Sequence, residues 1–223
     1  METVHDVVEK IRRLEVKGAR NVAIAAVETL QILAQETKAK SRQAFVQELS
    51  EARTLFFESR PTQPLMRNAV TFIIKKVEAS GKKKVTELAL ATSSASHDFL
   101  LDLEKSRERV AEIGSKRICD GMVIFTHCHS STVTYMLRKA KQRGRKLEVI
   151  CTETRPMFQG RITAKEMVDL GVKTTLIVDS AARFFMKKAD MVIVGADAIT
   201  SEGNVVNKIG TAAIALAVAG RAK

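Results

Sequence analysis

In the first half of the chain, apolar residues recur at the three- and four-residue steps of amphipathic helices. The first apolar stripe precedes Gly18 and consists of Val4, Val7, Val8, Ile11 and Leu14. Two prolines in 59–64 and the polar stretch 79–84 break the pattern further along. The later helices are predicted over about 22–33, 39–57, 65–77 and 85–113, with an interruption near 92–96 considered in the last. This half is expected to form a helical bundle or cap.

In the second half, apolar runs of strand length alternate with amphipathic helical stretches. Predicted strands cover 122–126, 147–151, 175–178 and 191–194, and predicted helices cover 132–143, 163–170, 181–188 and 210–221. Thr163 and Glu166 have the spacing of a capping box that would open the second of these helices. Such alternation is typical of βαβ units with a parallel sheet covered on both faces. The fold class is therefore α/β, with an N-terminal helical domain over 1–114 and a Rossmann-like parallel sheet domain over 115–223.

Composition narrows the class of protein. Hydrophobic residues make up 45% and charged residues 28% of the chain, which is too apolar for a disordered protein. There are 37 Lys and Arg residues against 25 Asp and Glu residues, a net charge of +12 that favours anionic partners such as nucleic acid, phosphates or acidic lipid. With no Trp and one Tyr, few side chains are available for base stacking, which disfavours nucleic acid as a partner.

The compartment is predicted from features that the sequence lacks. The first residues carry neither the basic nor the apolar region of a signal peptide. No apolar run approaches the roughly 20 residues of a membrane span. The three cysteines, Cys119, Cys128 and Cys151, show no CxxC spacing, which argues against a disulfide framework or a zinc knuckle. We therefore expect a reduced, cytoplasmic protein that does not enter a membrane.

Chemically active residues follow the predicted strands. Ligand sites of open parallel sheets lie beyond the carboxyl ends of the strands. The segments at those ends are 126–131, 152–155, 179–180 and 195–197, with 207–211 soon after. One crevice would thus bring together a thiol, carboxylates, hydroxyl groups and cations.

Cys128 would lie between a strand and a helix N-terminus. Backbone N–H groups there favour both a thiolate and a bound phosphate. The alternative is a small buried core residue, which is what most cysteines are. His127 and His129 flank the thiol, but their spacing matches no common zinc site, so no metal is expected.

Asp197 and Lys208 are further candidates. Asp197 would end an apolar strand, a costly place for a carboxylate unless it is paired or used, and a helix N-cap is the alternative. Lys208 before Gly210 and Thr211 is similar to a phosphate clamp, although Gly-Thr commonly opens a helix. The lysine run 82–84 is interpreted as a solvated turn.

Several segments, taken in order and spacing, closely resemble the archaeal ribose-1,5-bisphosphate isomerases. They are Thr126-His127-Cys128-His129-Ser130, Thr152-Glu153-Thr154-Arg155-Pro156, Gly160-Arg161-Ile162-Thr163-Ala164-Lys165-Glu166, Val178-Asp179-Ser180-Ala181-Ala182, Gly195-Ala196-Asp197 and Asn207-Lys208-Ile209-Gly210-Thr211. The superfamily also contains methylthioribose-1-phosphate isomerase and the regulatory α, β and δ subunits of translation initiation factor 2B. The regulatory subunits share the Thr-Glu and Asn-Lys-Ile-Gly-Thr signatures but generally lack the Cys and Asp that the isomerases carry.

The resemblance implies an active site without metal or cofactor. Cys128 would be the base and Asp197 the acid. Substrate contacts of the family map onto Lys17, Gly18, Ala19, Arg20, Arg60, His129, Ser130, Ser131, Asn207 and Lys208. Three of these depart from the isomerase pattern: Arg20 stands where Gly is usual, Ser131 where Lys is frequent, and Lys17 where Arg is usual. Lys17 replaces an Arg and cannot reproduce its bidentate grip on phosphate.

The implied reaction converts ribose 1,5-bisphosphate into ribulose 1,5-bisphosphate in nucleotide (AMP) salvage. The resemblance also implies a homo-oligomer, either a dimer or a hexamer, and AMP as an effector. The alternative is a regulatory subunit-like protein that binds initiation factor 2 and a nucleotide or sugar phosphate. Family members continue past the position of Lys223 into another strand, so the chain is expected to be truncated at its C-terminus and its sheet incomplete.

Overall fold

The computed structural model describes residues 3–220. The chain divides into two compact units, with the boundary between Lys105 and Ser106. Within the described residues, no helix combines the length and the apolar character needed to cross a membrane.

The first unit is built from helices. Its elements are α1 (Val4–Arg12), α2 (Ala19–Glu36), α3 (Arg42–Ser59), α4 (Pro64–Ala79) and most of α5 (Val85–Ser115). The predicted helices are present; α2, α4 and α5 are longer than their apolar patterns indicated, and α3 is shifted towards the C-terminus by two to three residues. α5 is continuous through 92–96, where an interruption was considered. The buried Thr92 hydroxyl donates to the Leu88 carbonyl of the preceding turn, 2.9 Å away, so its polar group is satisfied inside the helix.

The core of the first unit surrounds α2, which packs against α1, α3 and α4. Ala23 and Ala26 are fully buried on α2, and their small side chains let the neighbouring helices approach closely. The largest fully buried side chains around them include Leu30, Phe45, Phe56, Met66 and Ile73. A continuous apolar core of this size explains why a helical pattern with several short polar turns still forms one unit.

The second unit contains a four-stranded parallel sheet in the order β3-β2-β1-β4. Its strands are β1 (Met122–Thr126), β2 (Leu147–Thr152), β3 (Lys173–Ile177) and β4 (Met191–Val192). Its helices after α5 are α6 (Ser131–Gln142), α7 (Gly160–Asp169), α8 (Ala182–Met186) and α9 (Thr211–Ala219). The predicted α/β fold class is confirmed.

Both faces of this sheet are covered, as the sequence predicts. Ile124 and Val149 point into a cluster with residues of α5, α6 and α7, such as Leu137. Their neighbours Phe125 and Ile150 point into a second cluster with residues of α8 and α9. Because successive side chains of a strand face opposite sides, two core faces require the continuous apolar runs seen in the sequence.

Three local predictions were wrong. The fourth strand is shorter than predicted, because β4 pairs only through Met191 and Val192. It is followed by a short hairpin that the pattern did not indicate, formed by β5 (Ala198–Ile199) and β6 (Val205–Val206). The capping box is absent, because α7 begins at Gly160 and Thr163 lies inside it. The helix predicted over 181–188 is a 3₁₀ turn, Asp179–Ala181, followed by α8. The last helix was predicted to reach residue 221, which lies outside the described residues.

Candidate active site

Cys128 lies in the loop between β1 and α6, at the carboxyl edge of the sheet. Its backbone has a positive φ of 68°, a conformation that non-glycine residues adopt rarely and usually with support. Thr154 Oγ1 accepts a hydrogen bond from the Cys128 N–H at 2.9 Å, and Thr163 Oγ1 donates one to the Cys128 carbonyl at 3.0 Å. Both threonines are almost completely buried. The two bonds fix the backbone of Cys128 at its N–H and at its carbonyl, and so position the thiol.

The threonine that supports Cys128 is itself anchored by a carboxylate. Thr154 also has a positive φ, 62°. Asp179, which follows β3, accepts hydrogen bonds from the N–H groups of Thr154 at 2.8 Å and Arg155 at 2.7 Å. A carboxylate that receives two backbone N–H groups makes strong, charge-assisted hydrogen bonds. The ends of β1, β2 and β3 are therefore tied into one arrangement.

His127 connects this arrangement to the beginning of α9. Its Nε2 lies 2.8 Å from the Ile209 carbonyl, which can only accept, so Nε2 carries the proton. Its Nδ1 then accepts from the Thr152 hydroxyl at 2.6 Å. A Cβ on Gly210 would lie 2.9 Å from Nε2, so glycine allows this close approach. With 2% of its surface exposed and both nitrogens bonded, His127 holds the backbone rather than a ligand.

The segments predicted after the first and fourth strands meet beside α6. Ser130 is the N-cap of α6, and its hydroxyl accepts from the Val133 N–H. A Cβ on Gly195 would lie 2.9 Å from the Ser130 side chain and 3.9 Å from Asn207 Oδ1. Asn207 in turn donates to Thr211 Oγ1 at 3.0 Å. Ser130 and Asn207, both predicted to contact substrate, therefore lie on either side of Gly195.

The environment of the Cys128 thiol opposes its ionisation. Burial is the largest influence and raises the pKa of Cys128 above the usual thiol value. The backbone N–H of His129 and the positive charge of Lys208 lower this pKa, whereas the charges of Asp197 and Asp179 raise it. The sequence predicted amide stabilisation of a thiolate, and that contribution is present, but burial outweighs it in the structure.

Asp197 is exposed, contrary to the argument made from the sequence. β4 ends at Val192, so Asp197 neither terminates a buried strand nor caps a helix. It immediately precedes β5, and its N–H donates to the Val206 carbonyl at 2.8 Å. An exposed carboxylate carries no burial cost, so that argument for Asp197 does not apply. The case for Asp197 as the acid depends on its charge acting at Cys128 and on the motif Gly195-Ala196-Asp197.

The other residues predicted to contact substrate lie in the first unit. Gly18, with φ 85°, precedes the first residue of α2, Ala19, and Lys17 before it is exposed. Arg20 forms an ion pair with Glu104, and its Nε is buried without a hydrogen-bond partner among residues 3–220. Arg60 follows the last residue of α3 and is partly exposed. His129, Ser130, Ser131, Asn207 and Lys208 belong to the second unit with Cys128 and Asp197.

Sequence reasoning missed the residues that position the thiol. Thr154, Thr163 and Asp179 were visible as parts of motifs or strand ends. The bonds of the two threonines to residues 127–130, the Cys128 loop, and of Asp179 to Thr154 were not visible. Gln159 was also missed, and its Oε1 lies 3.8 Å from Cys128 Sγ. The hydroxyl residues that follow the second strand are the one signal that could have indicated Thr154. The described residues hold no group of three or more His, Cys, Asp or Glu side chains able to bind a metal ion.

Comparison with known proteins defines the class. Residues 15–223 match the Initiation factor 2 subunit family, IF-2B, and the chain belongs to that family. Ribose 1,5-bisphosphate isomerase of Thermococcus kodakarensis is 41% identical over 218 residues, which cover 97% of this chain and 68% of that protein. Further curated archaeal relatives with the same name are 37–42% identical. The chain spans about two thirds of the length of the first of these relatives, and the resemblance predicted from the motifs is confirmed.

Solved structures agree on the fold. A translation initiation factor eIF-2B of Pyrococcus horikoshii is 32% identical, with a TM-score of 0.87, and the match covers 98% of this chain and 75% of that one. The 5-methylthioribose 1-phosphate isomerase of the same organism is 28% identical, with a TM-score of 0.84, covering 99% of this chain and 65% of that one.

Proposed function

We propose that this chain is a sugar-phosphate isomerase that converts ribose 1,5-bisphosphate into ribulose 1,5-bisphosphate, the activity that gives its curated relatives their name. The observation that carries the proposal is that two buried threonines hydrogen-bond to the backbone of Cys128 at the carboxyl edge of the sheet. The charges of Asp197 and Lys208 act on the Cys128 thiol there. The regulatory branch of the superfamily generally lacks this Cys and Asp, and the chain has both.

The proposed isomerisation requires both an acid and a base. A phosphate on C1 prevents the sugar ring from opening to a free aldehyde, so the common route between aldose and ketose is closed. The bond between C1 and the ring oxygen breaks as Asp197 protonates that oxygen, and the Cys128 thiolate removes the proton from C2 to leave an enol phosphate. Cys128 then returns its proton to C1 while the 2-hydroxyl gives its proton to Asp197, which yields the ketose and restores both residues. Each such proton transfer typically contributes about 10²–10⁴-fold to the rate.

The two phosphates require cationic and N–H partners. Lys208 supplies a cation within the second unit, and Lys17, Arg20 and Arg60 are the proposed cations of the first. The net charge of +12 adds long-range attraction for a substrate with two phosphates.

The direct experiment is phosphorus and proton NMR of the purified protein mixed with ribose 1,5-bisphosphate. We expect the resonances of ribulose 1,5-bisphosphate to grow in at a rate proportional to protein concentration. Ribose 5-phosphate is the matched control, because it lacks the C1 phosphate and should not turn over. A folded protein that leaves the bisphosphate unchanged would refute the proposal for this chain.

The second candidate is a regulatory subunit-like protein that binds initiation factor 2. The observation that favours it is the similarity to the eIF-2B structure of Pyrococcus horikoshii. A pull-down of initiation factor 2 at micromolar concentration tests it. Retention by both the wild type and Cys128→Ser would support this role, since a regulatory surface does not need the thiol. No retention would exclude it.

We also propose assembly as a dimer or hexamer and AMP as an effector, both from the resemblance. Sedimentation velocity tests the assembly, and the NMR turnover assay with and without AMP tests the effector. A monomer under all conditions would contradict the first, and identical turnover with and without AMP the second. The cytoplasmic location stays a prediction from the sequence.

A further inference from the structure

Two neighbouring histidines of the Cys128 loop are held in opposite ways. His127 has its proton on Nε2, which donates to a backbone carbonyl. In His129 it is Nδ1 that faces a protein partner, Thr163 Oγ1, at 3.1 Å. The side chain of His129 is 22% exposed, so a ligand in the site can reach the ring.

The hydrogen bonds of Thr163 determine which ring nitrogen of His129 carries a proton. A hydroxyl has a single proton, and Thr163 donates it to the Cys128 carbonyl at 3.0 Å, because a carbonyl can only accept. Thr163 Oγ1 can then only accept from His129. Nδ1 of His129 must therefore carry a proton, which leaves Nε2 as the ring nitrogen that can gain or lose one.

Glu166 is the neighbour of that second nitrogen. Its Oε1 lies 3.8 Å from Nε2, one helical turn beyond Thr163 on α7. A carboxylate oxygen on this side of the ring is an electrostatic partner for an N–H at Nε2. The distance exceeds that of a hydrogen bond, so the proton stays available to a second acceptor.

We infer that Thr163 and Glu166 are positioning residues that make His129 a hydrogen-bond donor to a phosphate oxygen of the substrate. Thr163 fixes the proton on Nδ1, and Glu166 stabilises the proton that Nε2 presents to the ligand. Phosphate oxygens only accept hydrogen bonds, so a bare Nε2 would repel the ligand. This inference rests on the proposed isomerase for the identity of the ligand, but the proton pattern of the ring in the free protein does not depend on it.

The test is nitrogen-15 NMR of the histidine-labelled protein, which separates protonated from bare ring nitrogens. The chain has four histidines, and His129→Asn assigns the signals of interest. We expect His129 to be protonated on Nδ1 in the free protein and His127, the internal reference, on Nε2. Addition of ribose 1,5-bisphosphate should protonate Nε2 of His129 as well. A free-protein spectrum with a bare Nδ1 in His129 would overturn the inference.

Variants of the two positioning residues provide the second readout. Thr163→Val keeps the shape of the side chain and removes the hydroxyl, so it should release the fixed proton on Nδ1, whereas Thr163→Ser should keep it. Glu166→Gln should raise KM for ribose 1,5-bisphosphate about tenfold and change kcat less, because it weakens one charge-assisted contact and leaves the thiol alone. Asp169→Asn, on the exposed side of the same helix, is the matched control.

The outcomes separate this inference from the proposed function. If the wild type makes no ribulose 1,5-bisphosphate, the proposed function fails, while the Nδ1 proton of His129 and its loss in Thr163→Val still support the role of Thr163. If turnover occurs but Glu166→Gln has the KM of Asp169→Asn, the role of Glu166 is refuted. An unchanged ring pattern in Thr163→Val would refute the role of Thr163.

Discussion

The segments that carry the proposed base and acid are built differently. Hydrogen bonds to Thr154, just after β2, and to Thr163 of α7 hold the Cys128 loop, and Cys128 is 7% exposed. The segment after β4, residues 193–210, is here called the Asp197 segment. Four of its apolar side chains are at least half exposed, namely Ile199, Val205, Val206 and Ile209. Within residues 3–220, the Asp197 carboxylate has no hydrogen-bond partner that restrains it.

This difference indicates which of the two proposed catalytic residues is positioned before a ligand binds. Strain at Cys128 and Thr154, both with positive φ, persists only where surrounding bonds compensate for it. Asp179 and the two threonines supply those bonds, so the base is in place before a ligand arrives. The proposed acid lacks such bonds within residues 3–220, so contacts of the ligand would have to restrain it.

The largest expected effects come from removing either member of the pair. Cys128→Ser and Asp197→Asn should each lower kcat by about 10²–10⁴-fold, because each removes one proton transfer. The comparison adds a distinction: Asp197→Asn should leave the free energy of unfolding unchanged, since its side chain is exposed, whereas Cys128→Ser alters a buried site. Turnover by NMR and urea denaturation measure the two quantities.

Matched controls exist for both variants. Cys119→Ser changes an exposed thiol, and Glu202→Gln changes an exposed carboxylate of the Asp197 segment. Both should keep wild-type turnover. Normal turnover in Cys128→Ser or in Asp197→Asn would remove the mechanism, and equal losses in the controls would show an indirect effect.

A glycine substitution in each region should sharpen the contrast in stability. A Cβ on Gly160, which opens α7 beside the Cys128 loop, would lie 1.7 Å from the Thr152 carbonyl oxygen, so Gly160→Ala must displace backbone. We expect a loss of about 4 kcal/mol in the free energy of unfolding, within the range of severe core changes. A Cβ on Gly203, in the Asp197 segment, would meet open space, and its φ of 82° makes Gly203→Ala cost about 1 kcal/mol.

Urea denaturation of the two alanine variants measures this contrast directly. Equal losses, or a larger loss for Gly203→Ala, would mean that the Cys128 loop is no more tightly built than the Asp197 segment. The m-value should be the same in both variants, so that a change in midpoint can be read as a change in stability.

The same contrast explains what the sequence could predict. β1 and β2 were predicted closely because strands buried on both faces are continuous apolar runs, and the ends of β1, β2 and β3 were predicted to carry the site. The support for Cys128 was not predictable in the same way. Thr163 matched a local capping pattern, yet its hydroxyl bonds to a carbonyl 35 positions earlier in the chain. Local pattern also misplaced Asp197, because Ile193 and Val194 look like a strand but lie beyond the paired residues of β4.

An effect confined to alkaline pH concerns Cys151, a second buried thiol at the carboxyl end of β2. Burial raises the pKa of Cys151 to about 12 from the ordinary 9.0. In the unfolded chain the thiol ionises near the ordinary value, so its contribution to stability is complete below pH 9 and is lost as the pH rises towards 12. The free energy of unfolding should therefore fall by about 1.4 kcal/mol per pH unit in this range from this thiol alone.

Cys151→Ala isolates that contribution. The variant should be less stable than wild type at pH 8, because it removes a fully buried side chain, and the difference should shrink at pH 10 to 11. Cys119→Ala, at an exposed position, should show a constant difference from wild type over the same range. A Cys151→Ala difference that stays constant with pH would mean that water reaches the thiol. The β2 end of the site would then be as open as the Asp197 segment, and the contrast between the two halves of the site would not hold.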